Sequence, residues 1–180
     1  MSAVLSPCGR YRYRLDRSVD LLGRGTVGFC LHNPSTADAD IDDPTTTRCI
    51  GFARAFGAAR LVIVNPWAGR ATRARDLWAM ADPVGPDNAR HIAEAAAEIA
   101  VSCGFMVAGW GAVTPPARLQ EEVGDRLAFV AMILRASACP VLALGVTRNG
   151  SPRHPLYVSR DTRPVLWPAP RPESKQGIAA

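Results

Sequence analysis

Four short apolar runs, Val27–Leu31, Leu61–Val64, Phe105–Ala108 and Val141–Leu144, limit what this chain can fold into more than any other feature. Each is strand length, and segments with helical spacing lie between them. A continuous apolar run following a helix marks a parallel strand covered on both faces. The intervening segments carry the stops that helices need. The first spans about 46–56, with Ile50, Phe52, Ala53 and Phe56 on one side and Gly57 just past its end. The second runs from Asp87 or Asn88 to Cys103 with Ile92, Ala95, Ala96 and Ile99 in register, and Gly104 ends it. The third opens at Pro115-Pro116 and buries Leu119, Val123, Leu127, Val130 and Leu134. Strands alternating with helices predict the α/β class: a three-layer α/β/α sandwich around a mostly parallel, four-stranded central sheet.

Tyr11–Arg17 alternates Tyr11, Tyr13, Leu15 and Arg17 against Arg10, Arg12, Arg14 and Asp16, which predicts one more strand, half exposed. Arginines on its wet face suit a sheet edge, where charge opposes association; the alternative is a basic surface for phosphates. At 180 residues the chain suits one domain, 1–162, followed by a Pro-rich tail, 163–180, with Pro164, Pro168, Pro170 and Pro172.

Each apolar run ends in a polar loop. The first, HNPSTADADIDDPTTTRC from His32 to Cys49, is the stretch that packing explains least. It holds Asn33-Pro34-Ser35, four aspartates (Asp38, Asp40, Asp42, Asp43) and three consecutive threonines. A strand-to-helix connection of this length is uncommon in a compact domain unless it has a function. Ligands of open α/β sheets bind outside the carboxyl ends of the strands, where this loop sits. The second run ends in Asn65-Pro66-Trp67-Ala68-Gly69-Arg70, repeating the Asn-Pro pattern; the third ends in Gly109-Trp110-Gly111 and the fourth leads to Arg153-His154-Pro155-Leu156-Tyr157.

Charge narrows the partners only a little. The net charge is +5 and nearly all basic residues are arginine, with Lys175 the one lysine. Arginine pairs bidentately with phosphate, yet an arginine- and alanine-rich composition also follows from GC-rich coding. The five cysteines, at 8, 30, 49, 103 and 139, have no CxxC spacing and read as reduced thiols. No run approaches the roughly 18 apolar residues of a membrane span, and the first residues lack the apolar core of a signal peptide, so a cytoplasmic location without a membrane partner is expected.

Taken together, the loops HNPSTADADIDDPTTTRC, VNPWAGRAT, GWG and LGVTRNGSPRHPLY closely resemble a family of bacterial and phage proteins, domain-of-unknown-function family 1643, over about residues 10–160. Their order also resembles, more distantly, the uracil-DNA glycosylase superfamily. The second resemblance implies that fold, with the first apolar run central beside the second and third, and the fourth outside the third. It implies roles as well. Asn33, with Asp42, Asp43 or Asp38, would position the attacking water; Asn65 would read the base edge; His154-Pro155 would stabilise charge developing on the leaving base.

The chemistry agrees with these residue types. Breaking an N-glycosidic bond leaves positive charge on the sugar and negative charge on the base, so the site needs a carboxylate or amide near the sugar and donors near the base. A side-chain amide presents both donor and acceptor to a base edge, and a histidine donates while neutral. Ser35, beside the Asn33-Pro34 pair, is assigned to substrate binding. Trp67, Trp110 and Tyr157 offer faces for a base, and Arg70 and Arg153 a cationic rim.

Plainer readings stand beside these. Asn33 and Asn65 would cap the following segments, the tryptophans would pack in the core, His32 would point inward and His91 would be structural. The function expected first is a DNA glycosylase-like hydrolase acting on a modified or damaged base, with DNA or a nucleoside or nucleotide as partner and no cofactor or metal. Two alternatives remain: a metal-assisted nucleotide or phosphoryl hydrolase using the aspartates, and a non-catalytic module that binds nucleic acid or nucleotide.

Overall fold

The structure, a computed structural model, describes residues 1–35 and 37–167. Its strands are β1 (Ser2–Leu5), β2 (Arg12–Ser18), β3 (Thr26–Cys30), β4 (Arg60–Val64), β5 (Phe105–Ala108), β6 (Val141–Ala143) and β7 (Val165–Leu166). They form one sheet in the order β1-β2-β4-β3-β5-β6-β7. The four apolar runs make its middle, all parallel, with the first between the second and third and the fourth outside the third. β1, β2 and β7 flank them through antiparallel pairings.

The helices are α1 (Pro44–Ala55), α2 (Ala74–Leu77), α3 (Asn88–Val101) and α4 (Gln120–Ala136). Side chains alternate across a strand, and here the two sets enter separate cores. Phe29, Leu61, Ile63 and Val107 pack with Cys49, Phe52 and Ala53 of α1. Cys30, Val62, Val64, Met106 and Ala108 pack with Ile92, Ala95, Ala96 and Ile99 of α3 and with Val130 and Leu134 of α4. Both faces are therefore covered, which is why the runs lack polar alternation.

The expected four-stranded sheet with one edge strand is corrected to seven strands. β2 lies between β1 and β4 rather than at the edge, and Arg12 and Arg17 on it are 3% and 2% exposed. β1 and β7 have four and two residues, too few to carry a readable period. β7 falls in the stretch assigned to the tail, and Trp167 after it packs edge-on against Trp110 at 5.1 Å. Residues 168–180 of that tail lie outside the described residues. Among the described residues no helix is long and apolar enough to cross a membrane.

Candidate functional site

Parallel strands point their carboxyl ends the same way, so the loops after β3, β4, β5 and β6 meet on one rim. Between them lies a cleft of about 580 Å³. Its lining includes Asn33, Ser35, Asp43, Asn65, Trp110, Arg153, His154 and Tyr157, eight of the residues singled out in the sequence, together with Arg12, His32, Thr45, Thr46, Thr72, Gly111 and Thr147.

Asn33 is fixed by both ends of its surroundings. Its Nδ2 donates to the carbonyls of Pro34 (2.8 Å) and Ala71 (2.9 Å), so its orientation is determined and Oδ1 is the acceptor left for a ligand. Asp43 is the N-cap of α1, and its Oδ1 accepts from the Thr46 N–H at 2.7 Å. Asp43 is only 8% exposed yet lines the cleft. Two acceptors thus serve this part of the site.

His154 supplies the donor. Its Nδ1 accepts the Leu156 N–H at 3.3 Å, which leaves the proton on Nε2. Burial lowers its pKa, against a smaller raising pull from Asp43, so the ring is neutral at pH 7. Arg48 of α1 holds the segment in place: Nε donates to the Pro155 carbonyl at 3.2 Å and Nη2 to the Val158 carbonyl. Gly111 permits the close approach from the other side. Its φ is +76°, and a Cβ there would lie 3.3 Å from that of His154.

Asn65 is 1% exposed and largely engaged. Nδ2 donates to the Leu31 carbonyl (2.8 Å), and Oδ1 accepts from Arg12 Nη2 (3.4 Å). Asn88, the first residue of α3, donates to the carbonyls of Asn65 (3.0 Å) and Pro66 (2.9 Å) and holds that turn against the sheet. Asn65 therefore ties two strand ends together, lines the cleft, and has one N–H and one lone pair beyond those bonds.

His32 stands at the junction of the cleft and an aromatic cluster. It meets Trp67 edge-on at 5.2 Å and Trp78 at 5.8 Å. Burial, with a smaller contribution from His154, pushes its pKa down to about 4. The folded ring stays neutral while the unfolded one protonates near 6.5. Between those values the unfolded chain binds more protons, so stability falls as pH drops from about 6.5 toward 4. His32→Phe keeps the packing and should flatten that part of the curve, read from urea midpoints at pH 7, 5.5 and 4.5; an unchanged slope would show that His32 does not carry it.

Three assigned residues are not brought to the cleft. Trp67 is buried, packed with Leu77 and Trp78 below the rim, so it offers no face to a base. Asp42 pairs with Arg17 at 2.7 Å and holds the loop to β2. Arg70 borders a smaller adjoining hollow that shares Ser35, Ala71 and Thr72 with the cleft. The aspartates of the long loop also separate, because Asp38 closes a turn onto Asp40 and Ile41. Among the described residues no three of His, Cys, Asp and Glu come together in a group that could hold a metal ion.

The residues that sequence reasoning missed are Arg12, Arg48 and the threonines. Arg12 was hidden by placing β2 at an edge, with its arginines in water. Arg48 and Thr45-Thr46 stand at the start of a helix that follows a candidate loop, and helix N-termini are where ligand donors gather.

The family model described as a protein of unknown function, DUF1643, matches residues 12–156, and the chain belongs to that family. Comparisons with curated proteins and with solved structures each found no match.

Proposed function

We propose that this member of the DUF1643 family is a nucleobase-recognising hydrolase that breaks an N-glycosidic bond in its rim cleft. The observation that carries the reading is the division of the cleft: the acceptors Asn33 Oδ1 and Asp43 on one set of loops, and a neutral histidine donor, His154 Nε2–H, on another. Asn33 and Asp43 hold a water, which attacks the sugar carbon C1′ and gives its proton to Asp43. The C1′–N bond breaks with its electron pair moving to the base, and His154 donates a hydrogen bond to the charge that develops there. Trp110 forms part of the wall, and Tyr157, 80% exposed, stands at the mouth. The central strand order, with β3 between β4 and β5 and β6 outside, supports a uracil-DNA glycosylase-like arrangement.

The test is to incubate the protein with oligonucleotides and nucleosides carrying uracil, hypoxanthine, alkylated and hydroxymethylated bases, with and without a chelator. Released base, detected by mass spectrometry and unaffected by the chelator, is expected. Release that needs Mg²⁺, or phosphate cleavage with the base retained, would favour the metal-hydrolase alternative.

DNA is the partner this reading favours, because Arg153 at the mouth and Arg70 beside it can reach a backbone on either side of an extruded base. Binding should then weaken steeply with salt, and Arg153→Ala should make that dependence shallower by about one counterion. Fluorescence anisotropy at 50–200 mM salt measures both. Salt-independent binding would shift the substrate to a small molecule.

A further inference from the structure

Arg12 and Arg17 are two buried arginines on one strand, and the fold treats them differently. Arg17 receives a carboxylate, Asp42, at 2.7 Å. Arg12 receives none within ion-pair distance among the described residues. Its Nη1 donates to the Ala37 carbonyl (2.7 Å), its Nη2 reaches Asn65 Oδ1 at 3.4 Å, and its Nε has no partner among the described residues. A buried guanidinium with unspent donors and no counter-ion is costly. Such a group in a cleft is most simply stabilised by an anion that the cleft receives.

The surroundings suit that role. Ser35 and Thr72 line both the cleft and the hollow bordered by Arg70, so hydroxyl donors stand between the two arginines. Burial lowers the Arg12 pKa, Asp43 pulls it back up in part, and Arg70 lies near enough to add a smaller lowering push. Asp43 is itself turned to the start of α1, where the Thr46 N–H engages it. The cleft is thus polarised, with acceptors for a water beside α1 and cationic donors toward β2 and the loop after β4.

We propose that Arg12, with Ser35, Thr72 and Arg70, forms a phosphate subsite, and that the cleft takes a phosphate-bearing nucleotide unit rather than a neutral nucleoside or a free base. This rests on reading the cleft as the substrate site, and it adds the chemical class of the group bound beside the base. The phosphate is either a monoester on a free nucleotide or a diester in a strand, and both present the oxygens that a planar guanidinium pairs with bidentately.

Thermal shift and ³¹P line broadening with inorganic phosphate, against chloride at matched ionic strength, provide the test. Phosphate should stabilise the wild-type protein, and Arg12→Gln should weaken its binding by about tenfold to a hundredfold. Without phosphate, Arg12→Gln should melt at or above the wild-type temperature, since an uncompensated buried charge has been removed. If that variant does not fold, Arg12→Lys, which keeps the charge but loses the fork, should weaken binding about tenfold. Competition then identifies the source without relying on a base: displacement by 2-deoxyribose 5-phosphate marks a monoester, and displacement by an abasic trinucleotide marks a strand. No response of the wild-type protein to phosphate, an unchanged response in Arg12→Gln or Arg12→Lys, or displacement by neither competitor would overturn the inference. Phosphate binding at Arg12 without base release from any substrate would keep this inference while removing the glycosidic reading.

Discussion

Replacing Asp42 by alanine is expected to lower the unfolding free energy by about 3 kcal/mol, the lower end of what breaking a buried ion pair costs, because Asp42 itself is partly exposed. The physical cause lies in Arg17, whose side chain is 1% exposed and whose Nε bonds to Asp42 Oδ1 at 2.7 Å. With the carboxylate gone, the guanidinium keeps only backbone carbonyls: Asp16 at 2.9 Å, Asp38 at 2.6 Å and Ile41 at 3.4 Å. For a chain of this size the loss corresponds to about 6–12 °C in Tm. The double variant Arg17→Met with Asp42→Ala removes both charges and should recover most of the loss. Urea denaturation of the three proteins measures it; a loss under 1 kcal/mol in Asp42→Ala would mean that the pair behaves as a surface contact.

The neighbouring carboxylate should behave in the opposite way. Asp43→Asn keeps an N-cap side chain for Thr46, so stability should change little while base release falls. His154→Ala should lower turnover about 10²- to 10³-fold, the effect of removing one donor from developing negative charge, with Tm nearly unchanged. Because burial holds the His154 pKa below its ordinary value, the wild-type rate should stay level as pH falls through 6.5 and drop only below it. A rate that rises on protonation near 6.5 would mean that an imidazolium, not the neutral ring, does the work. The adjacent aspartates, Asp42 expected to act on folding and Asp43 on turnover, are distinguished by measuring both quantities for both variants.

The sheet's middle was legible because strands buried on both faces must be apolar throughout, and Leu61–Val64 and Phe105–Ala108 are. The rim followed from it, since parallel strands deliver their loops to one side. What stayed hidden was set by tertiary neighbours. β2 reads as an edge by its arginines, but a four-residue strand, β1, covers it and a loop carboxylate neutralises Arg17. Trp67 and Trp110 look alike in sequence, each just past a strand; Trp67 is enclosed with Leu77 and Trp78 while Trp110 lines the cleft. Asn65 has the composition of a reader, but which groups its amide meets depends on Arg12, 53 positions away. Nine residues past the fourth strand's expected end at Leu144, the chain returns through an Arg153 N–H to Gly145 carbonyl bond of 2.9 Å and brings His154 to the rim, a closure that no local period announces.

The proposed glycosidic hydrolysis makes one demand on where water's oxygen goes. A substrate that releases its base should be turned over in H₂¹⁸O and the products separated by mass spectrometry. The expected result is one ¹⁸O at the sugar C1′, none in the free base and none on phosphate, with the label lost in step with activity in Asp43→Asn and His154→Ala. Label on a phosphate oxygen, or release that persists unchanged in both variants, would contradict it.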